Sequence, residues 1–368
     1  MSVVVIGGGI AGLAAAWGLV RAGARELLLL EREAQLFAHS SGKNAAIYRA
    51  VESPRAVAEL GVRSAALFDE LCGARREWLR QDGLLLSSRA REALVPLSEI
   101  STSVGIEHEW LDRDELVRRA PAVMGGHATA ALWVPGGGVL DNHGIATALA
   151  REIRRHGGRI ELGHDATRVS SSAGRVTGVE SNGRKFGADV VVIAGGAWAS
   201  GVGATCGAPL PLTPVRRHLV LLEPDVMPPP SAPTVWDAEL GAYFRPESGT
   251  LLASPGDAVP WHAEEPAADP AALELLWEKL GKMAPSLAGS RVRRHWACLR
   301  TFAPDKASVV GADPRVAGLF WLAGLGGHGL TAGVAAGALL AKCVLGGDDP
   351  LIAALAPGRM SASADAAH

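Results

Sequence analysis

Apolar residues in this chain come in short runs that end on glycine or on an acid. Residues 3–6 (VVVI) are followed at once by GGGIAG, and residues 27–30 (LLLL) end on Glu31. Runs of that length without polar alternation predict strands buried on both faces, as in a parallel sheet. The segment between them predicts a helix, so the opening reads strand, glycine turn, helix, strand. Residues 166–200 predict a small β meander returning to a buried strand at 190–193, with Gly195 and Gly196 directly after it. Residues 319–344 repeat the order strand, glycine loop, helix. The proline-rich stretches 224–233 and 255–270 predict loops.

Gly7, Gly9 and Gly12 carry the GxGxxG spacing. The first permits the tight turn, the second lets a pyrophosphate approach the backbone, and the third lets helix and strand pack closely. The helix start then offers unpaired N–H groups and a positive dipole end to phosphate. Glu31, nineteen residues after Gly12, stands where an acid accepts hydrogen bonds from a ribose. These features together predict a dinucleotide site, with NAD and FAD both open at this point. The loop HSSGKNAAIYR (39–49) adds hydroxyl and amide donors, and the second glycine loop aims another helix N-terminus at an anionic or electron-rich group. Two dipole ends facing one ligand suit a flavin dinucleotide.

The 368 residues suffice for two domains or one large α/β domain, and 48% hydrophobic with 20% charged residues reads as compact rather than disordered. A formal net charge of −2 offers no global basic field to nucleic acid. The clusters Arg151, Arg154, Arg155 and Arg291, Arg293, Arg294 read as solvated surface. Four dispersed cysteines form no CxxC pair, which fits a reducing compartment and predicts no metal site. The apolar run 3–20 lacks a basic leader and is rich in glycine, so a cytoplasmic, soluble protein without a membrane span is expected. One residue resists this picture. Arg300 sits in an apolar run, WACLRTF, with Asp305 the only acid close by in sequence. A guanidinium is rarely buried without an anionic partner.

GGGIAG with Glu31, SSGKNAA, VVIAGGAW, CLRTFAPD and GLGGHGL, in this order, resemble the D-amino-acid oxidase superfamily, which includes glycine oxidase, sarcosine oxidase and D-amino-acid dehydrogenases. The resemblance covers nearly the whole chain. EREAQLFAHSSGKNAAIYR and YFRPESGTLLASP most resemble the bacterial D-arginine dehydrogenase type. It implies an α/β fold, a Rossmann-type FAD-binding domain (1–75, 139–215, 297–346) interleaved with an α+β substrate domain on a mixed sheet (76–138, 216–296), and a tail from 347. FAD would contact Gly7, Gly9, Ile10, Ala11, Gly12, Glu31, Arg32, Ser40, Ser41, Lys43, Asn44, Ala45, Ala166, Gly195, Gly196, Trp198, Gly326, Gly327, His328, Gly329, Leu330 and Thr331.

The implied reaction is oxidation of an amino acid's C–N bond, with hydride passing to the flavin, hydrolysis of the imine, and oxygen or a quinone as acceptor. Arg300 matches the family arginine that forks onto the substrate carboxylate, Tyr243 a tyrosine donating to it, and Arg217 a further pocket arginine. Gly327 falls where a carbonyl accepts from the amine. Ile47, Arg49, Glu52 and Trp236 would line the pocket. Ile47 and Glu52 stand where the dehydrogenase has histidine and tyrosine, and Gly83 stands where it has the acid for the guanidinium. An apolar or N-substituted substrate is therefore expected rather than arginine. Glu52 reads equally as an amine reader or a surface carboxylate, and His39 and His328 as structural. Cys298 resembles the cysteine that sarcosine oxidases bond to the flavin, but the rest of the chain favours noncovalent FAD. The rival readings are an NAD-dependent dehydrogenase and a non-catalytic or tRNA-modifying flavoprotein.

Overall fold

A computed structural model describes residues 1–73 and 77–360. The strand Ser2–Ile6 lies at the centre of a six-stranded sheet, parallel to Glu26–Glu31 on one side and Val190–Ile193 on the other. Arg159–Leu162 and Leu319–Ala323 extend it in parallel, and Val309–Ala312 closes one edge antiparallel. Alternate side chains on these strands serve two different cores. Val3, Val5, Leu27, Leu29 and Val192 pack on a helical layer that contains Ile10–Arg21, Arg55–Cys72, Asn142–Arg155 and Gly329–Val344. Val4, Ile6, Leu28, Leu30 and Val191 pack on the other face, against the meander of strands Ala166–Ser172, Arg175–Ser181 and Arg184–Gly187. Burial on both faces is why these strands read as unbroken apolar runs.

A nine-stranded mixed sheet forms the second unit. Leu84–Ser88 runs parallel to Thr234–Asp237, and the remaining pairings are antiparallel. Its dominant feature is the long antiparallel pair Thr213–Glu223 and Arg291–Phe302, paired from Thr213 opposite Phe302 to Glu223 opposite Arg291 with a register shift between Leu221 and Leu222. The boundaries expected at 215/216 and 296/297 both fall inside this strand pair. The boundary expected after residue 75 lies outside the described residues, as does the tail from 361. Residues 347–360 include the helix Pro350–Leu355, whose Leu351 and Leu355 are buried. Both proline-rich stretches run as loops, apart from the short strand Val259–Pro260. No helix among the described residues is long and apolar enough to cross a membrane.

The helices Ile10–Arg21 and Gly329–Val344 meet backbone to backbone. A Cβ placed on Gly337 would lie 2.3 Å from the main chain of Ala14, and one on Gly18 would lie 2.6 Å from the Gly337 carbonyl oxygen. Gly337→Val is therefore expected to force the helices apart and lower stability by about 1–3 kcal/mol, the usual cost of overpacking. Gly281, in the helix Ala271–Met283, has open space where its Cβ would be. Gly281→Ala should raise stability by about 0.5–1 kcal/mol through helix propensity. Thermal melts of the FAD-loaded variants separate the two outcomes.

Candidate active site

The strand Ser2–Ile6 ends at a turn that only glycine fits. Gly7 has φ +111°, and a Cβ there would meet the Ala194 carbonyl oxygen at 2.6 Å. Gly12 lies beneath it, where a Cβ would strike the Gly7 carbonyl. The Ile10 amide, in the first helical turn, donates to Ser41 Oγ at 3.0 Å. Glu31, at the end of the neighbouring strand, accepts from the amides of Gly8, at short range, and Glu33, at 2.8 Å. Asn44 folds the SSGKN loop by donating to the Ser40 and Ser41 carbonyls and accepting from the Ala46 amide. Ser40 Oγ ties that loop to the second sheet by donating to the Leu299 carbonyl at 2.6 Å. The Arg32 guanidinium lies 4.3 Å over the Trp198 ring, and His39, 2.8 Å from Glu33, packs on the same indole.

These groups border one cavity whose empty space, counting its open mouth, is about 1720 Å³. Every residue of the sequence-derived FAD set lines it except Gly12, Lys43 and Thr331. Gly12 serves helix–strand packing, and Lys43 is ion-paired with Glu265. Thr331 is buried and donates to the Ile47 carbonyl at 3.3 Å. Leu299 and Phe302, from the CLRTFAPD segment, also line the cavity, as do His164 and Asp165, which nothing in their local sequence marks as site residues. Two helix starts, at Ile10 and at Gly329, open onto this space, where first-turn amides lack intrahelical partners. Glycine cradle, ribose-level carboxylate and converging helix dipoles fit FAD.

The other end of the cavity is cationic. Arg217 pairs across the long antiparallel strand pair with Cys298, and Val215 with Arg300. Opposed residues share a face, so the two arginines are diagonal neighbours on one side of the sheet. Arg300 is 6% exposed and, among the described residues, donates to the Leu299 carbonyl and Cys298 Sγ, each at 3.0 Å. Asp305, the acid nearest in sequence, is taken by Arg359. Arg217 donates Nε to the Asp257 carbonyl at 2.9 Å. Burial, reinforced by the neighbouring Arg300 charge, pulls the Arg217 pKa down against the opposing pull of Tyr243 and Asp257. Among the described residues, neither guanidinium has a carboxylate within 4.0 Å.

Ile47, Arg49, Trp236 and Tyr243 complete the lining. Trp236 is covered on both sides, by Arg49 at 4.0 Å and by Tyr243 at 4.3 Å with rings 22° apart. It therefore presents an edge, not a face, to the cavity. Two residues singled out from the sequence stand outside the cavity lining. Glu52 neither lines the cavity nor sits on the surface. Its carboxylate is largely buried, pairs with Arg49 and stands 3.1 Å from His328 Nε2. Burial opposes its ionisation, but Arg49 and then His328 outweigh it and hold the Glu52 pKa low. Gly83 has no part in the pocket either. At φ +84°, a Cβ there would run into the Trp133 ring, so the missing side chain serves packing.

Residues 2–343 match the family model described as FAD dependent oxidoreductase. A glycine oxidase of Geobacillus kaustophilus (strain HTA426) is 26% identical, over 93% of this chain and 92% of its own. The mitochondrial pyruvate dehydrogenase phosphatase regulatory subunit of Mus musculus is 27% identical over 94% of this chain, which spans 41% of that protein. Human mitochondrial sarcosine dehydrogenase is 25% identical over 94% of this chain, which again spans only 40% of that relative. Among solved structures, an L-proline dehydrogenase from P. horikoshii superposes with a TM-score of 0.89 at 22% identity, over 98% of each chain. These structural likenesses show the fold.

His328 generates a pH expectation. Burial lowers its pKa to about 4, with Glu52 pulling the other way. An unfolded histidine takes up its proton near pH ~6.5, so between there and about pH 4 the unfolded chain binds more protons. Stability should fall as pH drops through that window. His328→Asn should flatten that part of a plot of melting temperature against pH.

Proposed function

We propose that this chain, which belongs to the family of FAD-dependent oxidoreductases, oxidises the carbon–nitrogen bond of glycine, an N-substituted glycine or a small D-amino acid. The observation that carries this reading is a pair of guanidiniums, Arg300 buried and Arg217 half-buried, with no carboxylate of the described residues in contact, at one end of a dinucleotide-sized cavity. Such a pair calls for an anion from outside, and a substrate carboxylate supplies it.

FAD, when bound, supplies the two-electron oxidation itself. The protein's contribution is grip, orientation and dryness. Arg300 forks onto the carboxylate, with its backbone strand fixing the approach. Tyr243, 3% exposed and stacked under Trp236, presents its hydroxyl to the same group. Arg217 adds the second charge beside it. The Gly327 carbonyl takes a hydrogen from the amine and so orients the carbon–nitrogen bond. Ile47 and the Trp236 edge make the wall facing the substrate's remaining substituent, and Glu52 neutralises the Arg49 charge behind that wall. A small apolar or N-alkyl group suits such a surface better than a guanidinium. The full-length similarity to a glycine oxidase supports this choice.

FAD is held noncovalently on this reading. Cys298 is 2% exposed, lies outside the cavity lining, and accepts a hydrogen bond from Arg300. Acid precipitation should release all flavin to the supernatant, and a yellow pellet lost in Cys298→Ser would refute noncovalent binding.

The function is tested by anaerobic mixing with glycine, sarcosine, larger N-alkyl glycines and D-amino acids, followed through loss of the oxidised-flavin absorbance. Bleaching by at least one of them is expected, with D-arginine among the poorest. Arg300→Ala should cost about 2–5 kcal/mol in kcat/KM with FAD content unchanged, the range for unpairing a buried charge contact. Arg300→Lys should restore only part, because the planar fork is gone. Near-normal kcat/KM in Arg300→Ala would exclude the assigned grip.

A further inference from the structure

Arg217 raises a question that the reaction alone does not answer. A half-buried guanidinium beside an aspartate would gain from pairing with its carboxylate, yet among the described residues Arg217 hydrogen-bonds the main-chain carbonyl of Asp257 and not that carboxylate. The Asp257 carboxylate is occupied elsewhere. Its Oδ1 accepts from the His218 amide and its Oδ2 from His218 Nδ1, both at 2.8 Å. His218 is 1% exposed, and its other ring nitrogen, Nε2, accepts from the Asp269 amide at 2.9 Å. A ring nitrogen that accepts an amide hydrogen carries no proton, so the imidazole proton sits on Nδ1 and is donated to Asp257. The Ser254 hydroxyl fixes the same unit by donating to the His218 carbonyl at 2.6 Å.

We propose that His218 is a positioning residue for Arg217: by occupying the Asp257 carboxylate, it keeps that carboxylate off the guanidinium and leaves both Nη groups free for a ligand. Asp257 still acts on Arg217 in two ways. Its backbone carbonyl anchors Nε, and its charge offsets part of the cost of burying the guanidinium from one bond further out. Arg217 Nη1 is thereby directed toward Gly327, where a Cβ would come within 3.8 Å of it. Direct pairing with Asp257 would satisfy the arginine internally and leave nothing for an incoming anion. The site stays open because a neutral histidine takes the internal acceptor first.

The inference rests on the reading that Arg217 faces a substrate carboxylate, and the test separates the two. The probe is sodium acetate, titrated into the FAD-bound enzyme and followed by perturbation of the flavin spectrum, with acetamide as the uncharged control. His218→Leu should release Asp257 onto Arg217 and raise the acetate Kd at least tenfold, while acetamide binding holds within threefold. His218→Asn, whose amide donates from nearly the same place as Nδ1, should stay within threefold of the parent. The decisive variant is the pair His218→Leu with Asp257→Asn. Removing the competing charge should bring acetate affinity back to within threefold, which no general packing defect would allow.

If His218→Leu fails to retain FAD, Asp257→Asn alone serves as the measurement. It should bind acetate at least as tightly as the parent, and a tenfold loss would overturn the proposal. Unchanged acetate affinity in His218→Leu, or no recovery in the double variant, would also overturn it. Arg217→Met distinguishes the premise. If it weakens acetate while His218→Leu does not, the positioning role alone is wrong. If it leaves acetate unchanged, the carboxylate reading of Arg217 falls, and the proposal with it.

Discussion

The site depends on two helices that cross without side chains between them. Gly18 and Gly337 mark the crossing, and Ala14 fits against the main chain of the second helix. The N-cap residues are Gly9 and His328, each nine positions before its crossing glycine. At about 1.5 Å per residue, both helix starts therefore stand at the same height above the contact, about 13 Å from it. Two positive dipole ends thus reach one cavity at one level, and Ile10 wedges against Gly329 and Gly333 to hold them there. A side chain at the crossing would spread the helices and misalign the two ends.

The cationic end of the cavity is set differently, by strand register. Arg217 and Arg300 belong to neighbouring antiparallel strands of one sheet, so their separation follows from pleat and pairing and needs no loop to maintain it. Burial, and after it the neighbouring Arg300 charge, lower the Arg217 pKa. The protein tolerates the arrangement with carbonyl and thiol acceptors that leave each guanidinium unneutralised. Asp257, which holds Arg217 Nε by its main-chain carbonyl, keeps its carboxylate on His218. Arg49 illustrates the opposite solution. It carries its own counter-ion, Glu52, and its guanidinium becomes part of the wall instead of the grip.

What could be read from the sequence was what local chemistry encodes. Strands buried on both faces leave apolar runs, glycine turns leave fixed spacings, and an arginine isolated among apolar residues stands out without any structure. The second glycine loop and the SSGKN segment were legible for the same reason. Contacts that join distant segments were not. Glu52 finds His328 across most of the chain, Gly83 yields to Trp133, and Trp236 has its two faces covered by Arg49 and Tyr243. Each of these changes what the residue can do, and none leaves a mark in the neighbouring sequence. The pairing of Asp257 with His218 was equally silent, because an aspartate in a proline-rich loop looks like any turn residue.

The strand order of the six-stranded sheet has a consequence for how the molecule is made. Its first strand, Ser2–Ile6, pairs on one side with Val190–Ile193, which in turn needs Leu319–Ala323. In synthesis the nucleotide-binding turn is therefore made long before the last strand of its sheet and the helix that follows it. Until that helix is in place, the apolar segment at 3–20 lacks part of the layer that covers it. The cavity is complete only when the helix Gly329–Val344 rests against its partner.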